Sequence, residues 1–253
     1  MLKVKTDYPK RDKNINVRKL KNIVFCDTET IGSLYHKETI FPFDISLKVY
    51  DNKKSEVVKE KCYLVRKFFN NKYTMGCTFS AGKYPRYNEK VLEDRRYNVN
   101  SVKEIAKSIE KMLKHYNIKY LVAHNGGFDF SALGRLFKEF NVKNPLEKVD
   151  VLDTMTLARG VISNDKNYIR FCLKNKDILN SRGESKFLTN SGRVRETAES
   201  FYCYIIDNPA WSEDHTGLED IDIEIKIFEY CRSKKAITPI NCKPSWQDLQ
   251  VVA

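Results

Sequence analysis

The stretch KNIVFCDTET, residues 21–30, decides the fold. Its apolar run (Ile23, Val24, Phe25) has the length of a short buried strand, and it ends in Asp27 and Glu29. A strand sends residues i and i+2 to the same face, so these two carboxylates point one way. Taken alone, D-x-E is an ordinary strand end. It gains meaning only if other acids converge on it.

The chain around it has 253 residues, 42% hydrophobic and 31% charged, with a formal net charge of +12. That length suits one large α/β domain or two small ones. The charge suggests a polyanionic partner, with nucleic acid as the first reading. No apolar run approaches 18 residues, so no membrane span is expected. The basic start, MLKVKTDYPKRDKNINVRK, has no apolar segment behind it and is not a secretory signal. Seven cysteines without a C-x-x-C pair argue for reduced thiols rather than disulfides or structural zinc. A cytoplasmic location is expected, or the host cytoplasm if the gene is viral.

Outward from residue 30, FPFDISLKVYD (41–51) alternates as a half-buried strand does, and SEVVKEKCYLVRKFF (55–69) reads as its neighbour across a turn at 51–55. SVKEIAKSIEKMLKHYN (101–117) is an amphipathic helix opened by a Ser101–Glu104 capping box. KYLVAHNGGFDF (119–130) reads as a buried strand broken by Gly126 and Gly127, followed by a helix. VDVLDTMTLAR (149–159) is a strand running into a short helix, and 197–208 is helical. In 213–233, Leu218, Ile221, Ile225 and Phe228 mark the buried face of the last helix. The expected architecture is an α/β mixed sheet, an antiparallel meander plus parallel strands, flanked by helices. Residues 1–20 read as a basic arm, 21–233 as one domain with insertions near 66–100 and 160–214, and 234–253 as a tail. No phosphate-binding glycine loop is present, so no nucleotide cofactor is expected.

Two further acidic stretches stand out. Asp129, in HNGGFDF, lies where a helix starts and has the ordinary reading of an N-cap. Asp220, in HTGLEDIDIE, follows His215 by five residues and borders the apolar helix face. Its ordinary reading is a solvated face, since Glu219, Asp222 and Glu224 accompany it.

Together these stretches resemble the DEDDh exonucleases of the RNase H-like superfamily, which include polymerase proofreading subunits, RNase T and oligoribonuclease. DTETIG resembles the first motif, HNGGFD the second, HTGLED the third, and VLDTMTLAR the intermediate D-T-x-x-x-A-R strand. The run after 195 looks most like exonucleases carried by phages. The segment 160–214 lacks the usual S-L-x-x-L signature, for which YIRFCL is a substitute.

The resemblance implies a metal-dependent 3′–5′ exonuclease that releases nucleoside monophosphates, with two Mg²⁺ or Mn²⁺ ions. Hard divalent ions prefer oxygen donors, and a pair of them can serve both the attacking and the leaving oxygen of phosphodiester hydrolysis. By resemblance, Asp27 bridges both ions, Glu29 and Asp220 complete one site, Asp129 serves the other through water, and His215 is the general base. Thr30, Ile31 and Gly32 are expected to meet the 3′-terminal nucleotide. His124, Asn125 and Phe128 are supporting or nucleotide-contact candidates, with Phe128 read first as a core side chain. The basic, aromatic stretch 66–100 is either a strand-gripping surface or a packed insertion. DNA is the first substrate reading and RNA the second, and the partner reading is replication or repair proteins. A degenerate nuclease fold that only binds nucleic acid is the reading from another class. A family B proofreading domain fits less well, because those polymerases carry Tyr where His215 stands and only 33 residues follow Asp220 here.

Overall fold

The structure is a computed structural model that describes residues 14–31, 40–76, 81–213 and 215–239. Its centre is a six-stranded sheet in the order β5-β4-β3-β2-β6-β7. These strands are β2 (Asn22–Ile31), β3 (Phe41–Asp51), β4 (Glu56–Val65), β5 (Tyr97–Asn100), β6 (Tyr120–Ala123) and β7 (Asp150–Asp153). β2, β3 and β4 form the antiparallel meander, while β4–β5, β2–β6 and β6–β7 are parallel. The mixed sheet is therefore the expected one. The hairpin turn closes because Asp51 Oδ1 accepts the N–H groups of Lys53 and Lys54, with Ser55 at a φ of 60°.

Helices cover both faces. On one side α4 (Val102–His115) and α5 (Gly127–Glu139) bury Val24, Cys26, Ile45 and Leu121. On the other, α9 (Gly217–Ser233), α8 (Ala198–Ile205) and α6 (Thr154–Ala158) bury Ile23, Phe25 and Tyr50. The Phe25 ring meets Tyr50 and Phe228 edge to face, which adds about 1 kcal/mol per pair to simple burial. Strand β3 departs from expectation: it is buried along nearly its whole length rather than on one face. Helices lie on both sides of it, so its polar members are buried too and need partners. Lys48, for example, meets Asp222 at 2.6 Å.

The stretch 66–100 folds into α1 (Arg66–Phe69), α2 (Lys72–Gly76), α3 (Tyr84–Glu93) and edge strand β5. Phe69, Tyr87 and Tyr97 bury with Phe43 and Leu64 in a third cluster, so these aromatics are packed rather than presented to a strand. Of the large hydrophobic side chains described in this stretch, Tyr73 and Leu92 are the mostly exposed ones. In 160–214, a π turn (Arg159–Ser163) and α7 (Lys166–Lys174) precede an irregular segment with two isolated bridges, Leu179–Ser185 and Leu188–Val194. Phe187 and Val194 anchor that segment in the α9-side core.

A second, two-stranded sheet pairs β1 (Asn14–Asn16) with β8 (Ile237–Pro239). It joins the stretch read as an arm to the stretch read as a tail, and Val17 and Leu20 behind β1 are buried. Among the described residues, no helix is long and apolar enough to cross a membrane.

Candidate active site

Ile23 and Phe25 pack under α9, so the alternation of β2 carries Asp27 and Glu29 to that same face. Asp220 stands in the first turn of α9, buried, directly across from them. Asp27, Glu29 and Asp220 each present a carboxylate oxygen within 4.8 Å of the others'. Thr28 points the other way, toward α5. There Asp129 Oδ1 accepts the Thr28 N–H at 3.1 Å and the Thr28 hydroxyl at 2.7 Å. Asp129 is the third residue of α5, and Gly126 is the N-cap, so the ordinary capping reading does not apply. Its charge still reaches Asp27 and helps to raise that carboxyl's pKa.

The electrostatics are those of a crowded anion site. Burial, then the charges of Asp220, Asp129 and Glu29, hold the Asp27 carboxyl well above the usual range. Burial lifts Glu29 and Asp129 to about 7 and, with Glu213 and Glu29 beside it, Asp220 to about 9. Asp220 Oδ1 is buried and has no hydrogen-bond partner. One cation, Lys83 at the start of α3, forms a buried ion pair with Glu29. All-oxygen donors, a surplus of buried negative charge and an orphaned carboxylate oxygen fit hard divalent ions.

His215 lies two residues before α9, half-exposed, in a left-handed conformation at a φ of 55°. Its Nδ1 is 3.6 Å from Glu213 Oε2, and Glu213, His215 and Asp220 form a second group of potential ligands within 4.8 Å. The segment is held from behind. Glu199 accepts from Ser212 Oγ and from the Glu213 N–H, and the buried Lys186 ammonium pairs with Glu199 at 3.1 Å while also donating to the Trp211 carbonyl.

The start of α9 is seated by a close approach. A Cβ on Gly217 would lie 2.6 Å from Ser46 Oγ and 2.8 Å from Ser46 Cβ. Asp44, opposite Glu29 in the β2–β3 ladder, accepts hydrogen bonds from Ser46, Cys62, Tyr87 and the Gly217 N–H. One buried carboxylate thus ties β3, β4, α3 and α9 together beside the acids.

The remaining candidates fall at varied distances from this role. Thr30 and Ile31 end β2 past a register shift after Glu29, and Gly32 lies outside the described residues. Asn125 is exposed with a φ of 59°. Both His124 ring nitrogens are engaged, Nδ1 with Thr154 Oγ1 and Nε2 with the Glu196 carbonyl, and burial drops its pKa to about 4, so it is a neutral structural group. Phe128 is 37% exposed, not a core side chain, because it occupies the outward side of the first turn of α5.

The D-T-x-x-x-A-R stretch does structural work at this point. Asp153 caps α6 through Thr156 N and accepts the Gly126 N–H at 3.0 Å, and Arg159 forms a buried ion pair with Glu196 at 2.6 Å. Together they fix the loop that delivers Asp129.

Sequence reasoning missed Glu213, Lys83, Asp44 and Glu224. Glu224 is one turn beyond Asp220 and only 3% exposed, with Oε1 on the His124 N–H and Oε2 without a partner. Its spacing of four from Asp220 was the available signal, since i and i+4 share a helix face.

No family model and no curated protein matches the sequence. Solved structures do match. A full-length 3′-exonuclease aligns at 13% identity and a TM-score of 0.54 over 92% of this chain and 91% of its own. The nuclease domain of 3′hExo, a DEDDh family member bound to rAMP, aligns at 13% and 0.55 over 89% and 98%. E. coli Exonuclease I in complex with a dT13 oligonucleotide aligns at 12% and 0.54 over 85% of this chain but 42% of that protein. The shared feature is the fold: the six-stranded mixed sheet flanked by helices is similar to that of these 3′-exonuclease structures.

Proposed function

We propose that this chain is a metal-dependent 3′–5′ exonuclease that removes mononucleotides from nucleic acid, with DNA as the first substrate and RNA as the second. The observation that carries the proposal is the convergence of Asp27, Glu29 and Asp220 within 4.8 Å, with Asp129 beside Asp27, on a 3′-exonuclease fold. Asp27, Glu29 and Asp220 would hold one Mg²⁺ or Mn²⁺ ion, and Asp27 with Asp129 a second. Such ions, when bound, supply positive charge to the attacking water, the scissile phosphate and the leaving oxygen.

The protein's own groups do the rest. His215, with Nδ1 turned toward Glu213, takes the proton of the attacking water at Nε2. The backbone of Thr30 and Ile31 floors the 3′-terminal nucleotide, and the exposed Phe128 ring offers an apolar face to its base. The structurally similar proteins were solved with rAMP in one case and a dT13 oligonucleotide in another, so either sugar suits the fold in those proteins.

The test is digestion of 3′- and 5′-labelled single-stranded DNA, double-stranded DNA and single-stranded RNA with Mg²⁺, with and without EDTA. Labelled mononucleotides released from the 3′ end, and lost with EDTA, are the expected result. Binding without hydrolysis in either Mg²⁺ or Mn²⁺ would overturn the proposal in favour of a nucleic-acid binder.

A further inference from the structure

Helix α5 carries Asp129 at one end and runs across the sheet to a second feature at the other. Between its C-terminal end and the start of α4 lies a groove of about 680 Å³. Its floor is apolar, with Val102 and the Phe140 ring among its residues, and Arg66, Lys67, Lys103 and Lys143 stand around it. None of the residues that line it is acidic. Arg66 is shared with Glu104 at 3.2 Å, so the net charge comes from the three lysines, all exposed. Lys67 Nζ already lies 5.0 Å from the centre of the Phe140 ring, where a π face and a cation are presented together.

We propose that this groove is a secondary binding site for single-stranded nucleic acid, which holds the strand upstream of the 3′ end being cleaved. The inference rests on the exonuclease reading for its direction, though not for binding itself. Three lines converge on it. An apolar, aromatic floor ringed by cations is the combination that binds a strand without regard to sequence: bases stack while phosphates pair with lysines. The eleven steps from Asp129 to Phe140 span about 16 Å of helix. That is the length of about five nucleotides of stacked strand, so one substrate molecule reaches both places. The net charge of +12 places the whole molecule in favour of a polyanion.

The groove lies away from the acids, so it can be altered without touching them. The variant is Lys67→Glu/Lys103→Glu/Lys143→Glu, three exposed side chains whose replacement leaves the core intact. Two measurements are made on the full chain. In the first, a fluorescent 20-nucleotide strand is titrated in EDTA over a range of salt. The expected result is at least tenfold weaker binding and a salt slope smaller by about two, near 0.7 for each of three lost phosphate contacts. In the second, turnover in Mg²⁺ is compared on a dinucleotide and on the 20-mer. KM is expected to rise for the long substrate alone, with dinucleotide kcat/KM unchanged.

Unchanged affinity and slope for the 20-mer would overturn the proposal. So would a variant that keeps the oligonucleotide but loses an acidic, apolar peptide bound by the native protein, which would make the groove a peptide site. If the native protein cleaves nothing, the exonuclease reading fails, while the binding titration still decides the groove.

Discussion

The Lys83 ammonium is paired with the Glu29 carboxylate inside the acid cluster, and both side chains are nearly buried. Lys83 comes from the stretch 66–100 and sits at the start of α3. Its charge partly counters the burial that raises Glu29, and it lowers Asp220 as well. A fixed cation at this position opposes a divalent ion that would share Glu29. Lys83→Met keeps the bulk and removes the charge. The half-saturating Mg²⁺ concentration is expected to fall about tenfold, which corresponds to about 1.4 kcal/mol. Metal-free melting temperature should fall too, since Glu29 loses its partner. Isothermal titration with Mg²⁺ and a thermal melt read the two effects. A higher Mg²⁺ requirement would mean that Lys83 assists the ion rather than opposes it.

Removal of one carboxylate from this cluster should separate stability from activity. Asp27 shares its face with Asp220 and Glu29, and their charges and that of Asp129 all act against its ionisation. Asp27→Asn keeps the shape and drops the charge. Hydrolysis should fall below detection, while the metal-free protein melts at a higher temperature than the native one, because functional clusters of this kind are held against their own repulsion. Retained hydrolysis would remove Asp27 from the metal site.

The same cluster sets a pH dependence. Unfolded carboxyls titrate near 4, whereas folded Glu29 and Asp129 titrate at about 7 and Asp220 at about 9. The folded state holds these protons more tightly, so their contribution is fully present below about pH 4 and is lost as pH rises through the folded values. In EDTA, the stability contributed by these groups should decline from about pH 4 to about pH 9 and level off above that. On the proposed metal site, Mg²⁺ would bind only the folded state, so it should stabilise more as pH rises, and its binding should release protons. Melts in EDTA and in Mg²⁺ across that range check the sign. A Mg²⁺ effect that shrinks toward high pH would contradict it.

The seat of α9 gives a steric prediction. Gly217 has no room for a Cβ: Ser46 Oγ would be 2.6 Å away, and that hydroxyl is committed to Asp44. Gly217→Ala must push the start of α9 off β3, and His215 and Asp220 go with it. An overpacked site of this kind costs about 1–3 kcal/mol, roughly 2–12 °C in a chain of this size. The kcat should fall more than the melting temperature alone explains. Gly217→Ala/Ser46→Gly reopens the space and should recover part of both. No recovery in the double variant would mean that the contact with Ser46 is not what Gly217 serves.

Much of this was legible in the sequence, for definite reasons. Ile23, Val24 and Phe25 set the strand, and its alternation fixed the direction of Asp27 and Glu29. The Ser101–Glu104 capping box is present at the start of α4. Other features had no local signal. Strand β5 has four residues, Tyr97–Asn100, too few to show a period, and it exists because β4 offers it an edge. Glu224 sits in a helix whose exposed members include the charged Asp222 and Lys226, and the packing of α9 over His124 buries it. The burial of β3 on both faces depends on α4, α5 and α9, all more than fifty residues away in the chain, together with α1 and α3. Lys83 reaches Glu29 across 54 residues, and no spacing rule connects them.

Glu213 leads to the last prediction. Its carboxylate lies 3.6 Å from His215 Nδ1, and its own backbone is held by Glu199, which Lys186 anchors in turn. His215 is strained toward the left-handed region, so the loop needs such supports to keep the imidazole aimed at the acids. A carboxylate at Nδ1 selects the tautomer that leaves Nε2 to accept a proton, and it favours the charged imidazole that results. Glu213→Gln keeps the length and a hydrogen-bonding oxygen but removes that charge. The kcat should fall about tenfold with KM little changed, and the acid limb of the kcat/KM profile should move to lower pH. Lys186→Met, which loosens the loop without touching the charge at His215, should lower kcat and leave that limb in place. Identical pH profiles for native protein and Glu213→Gln would reduce Glu213 to a loop support. His215→Ala sets the scale: it should lose most of the turnover while Mg²⁺ binding measured by titration is largely kept.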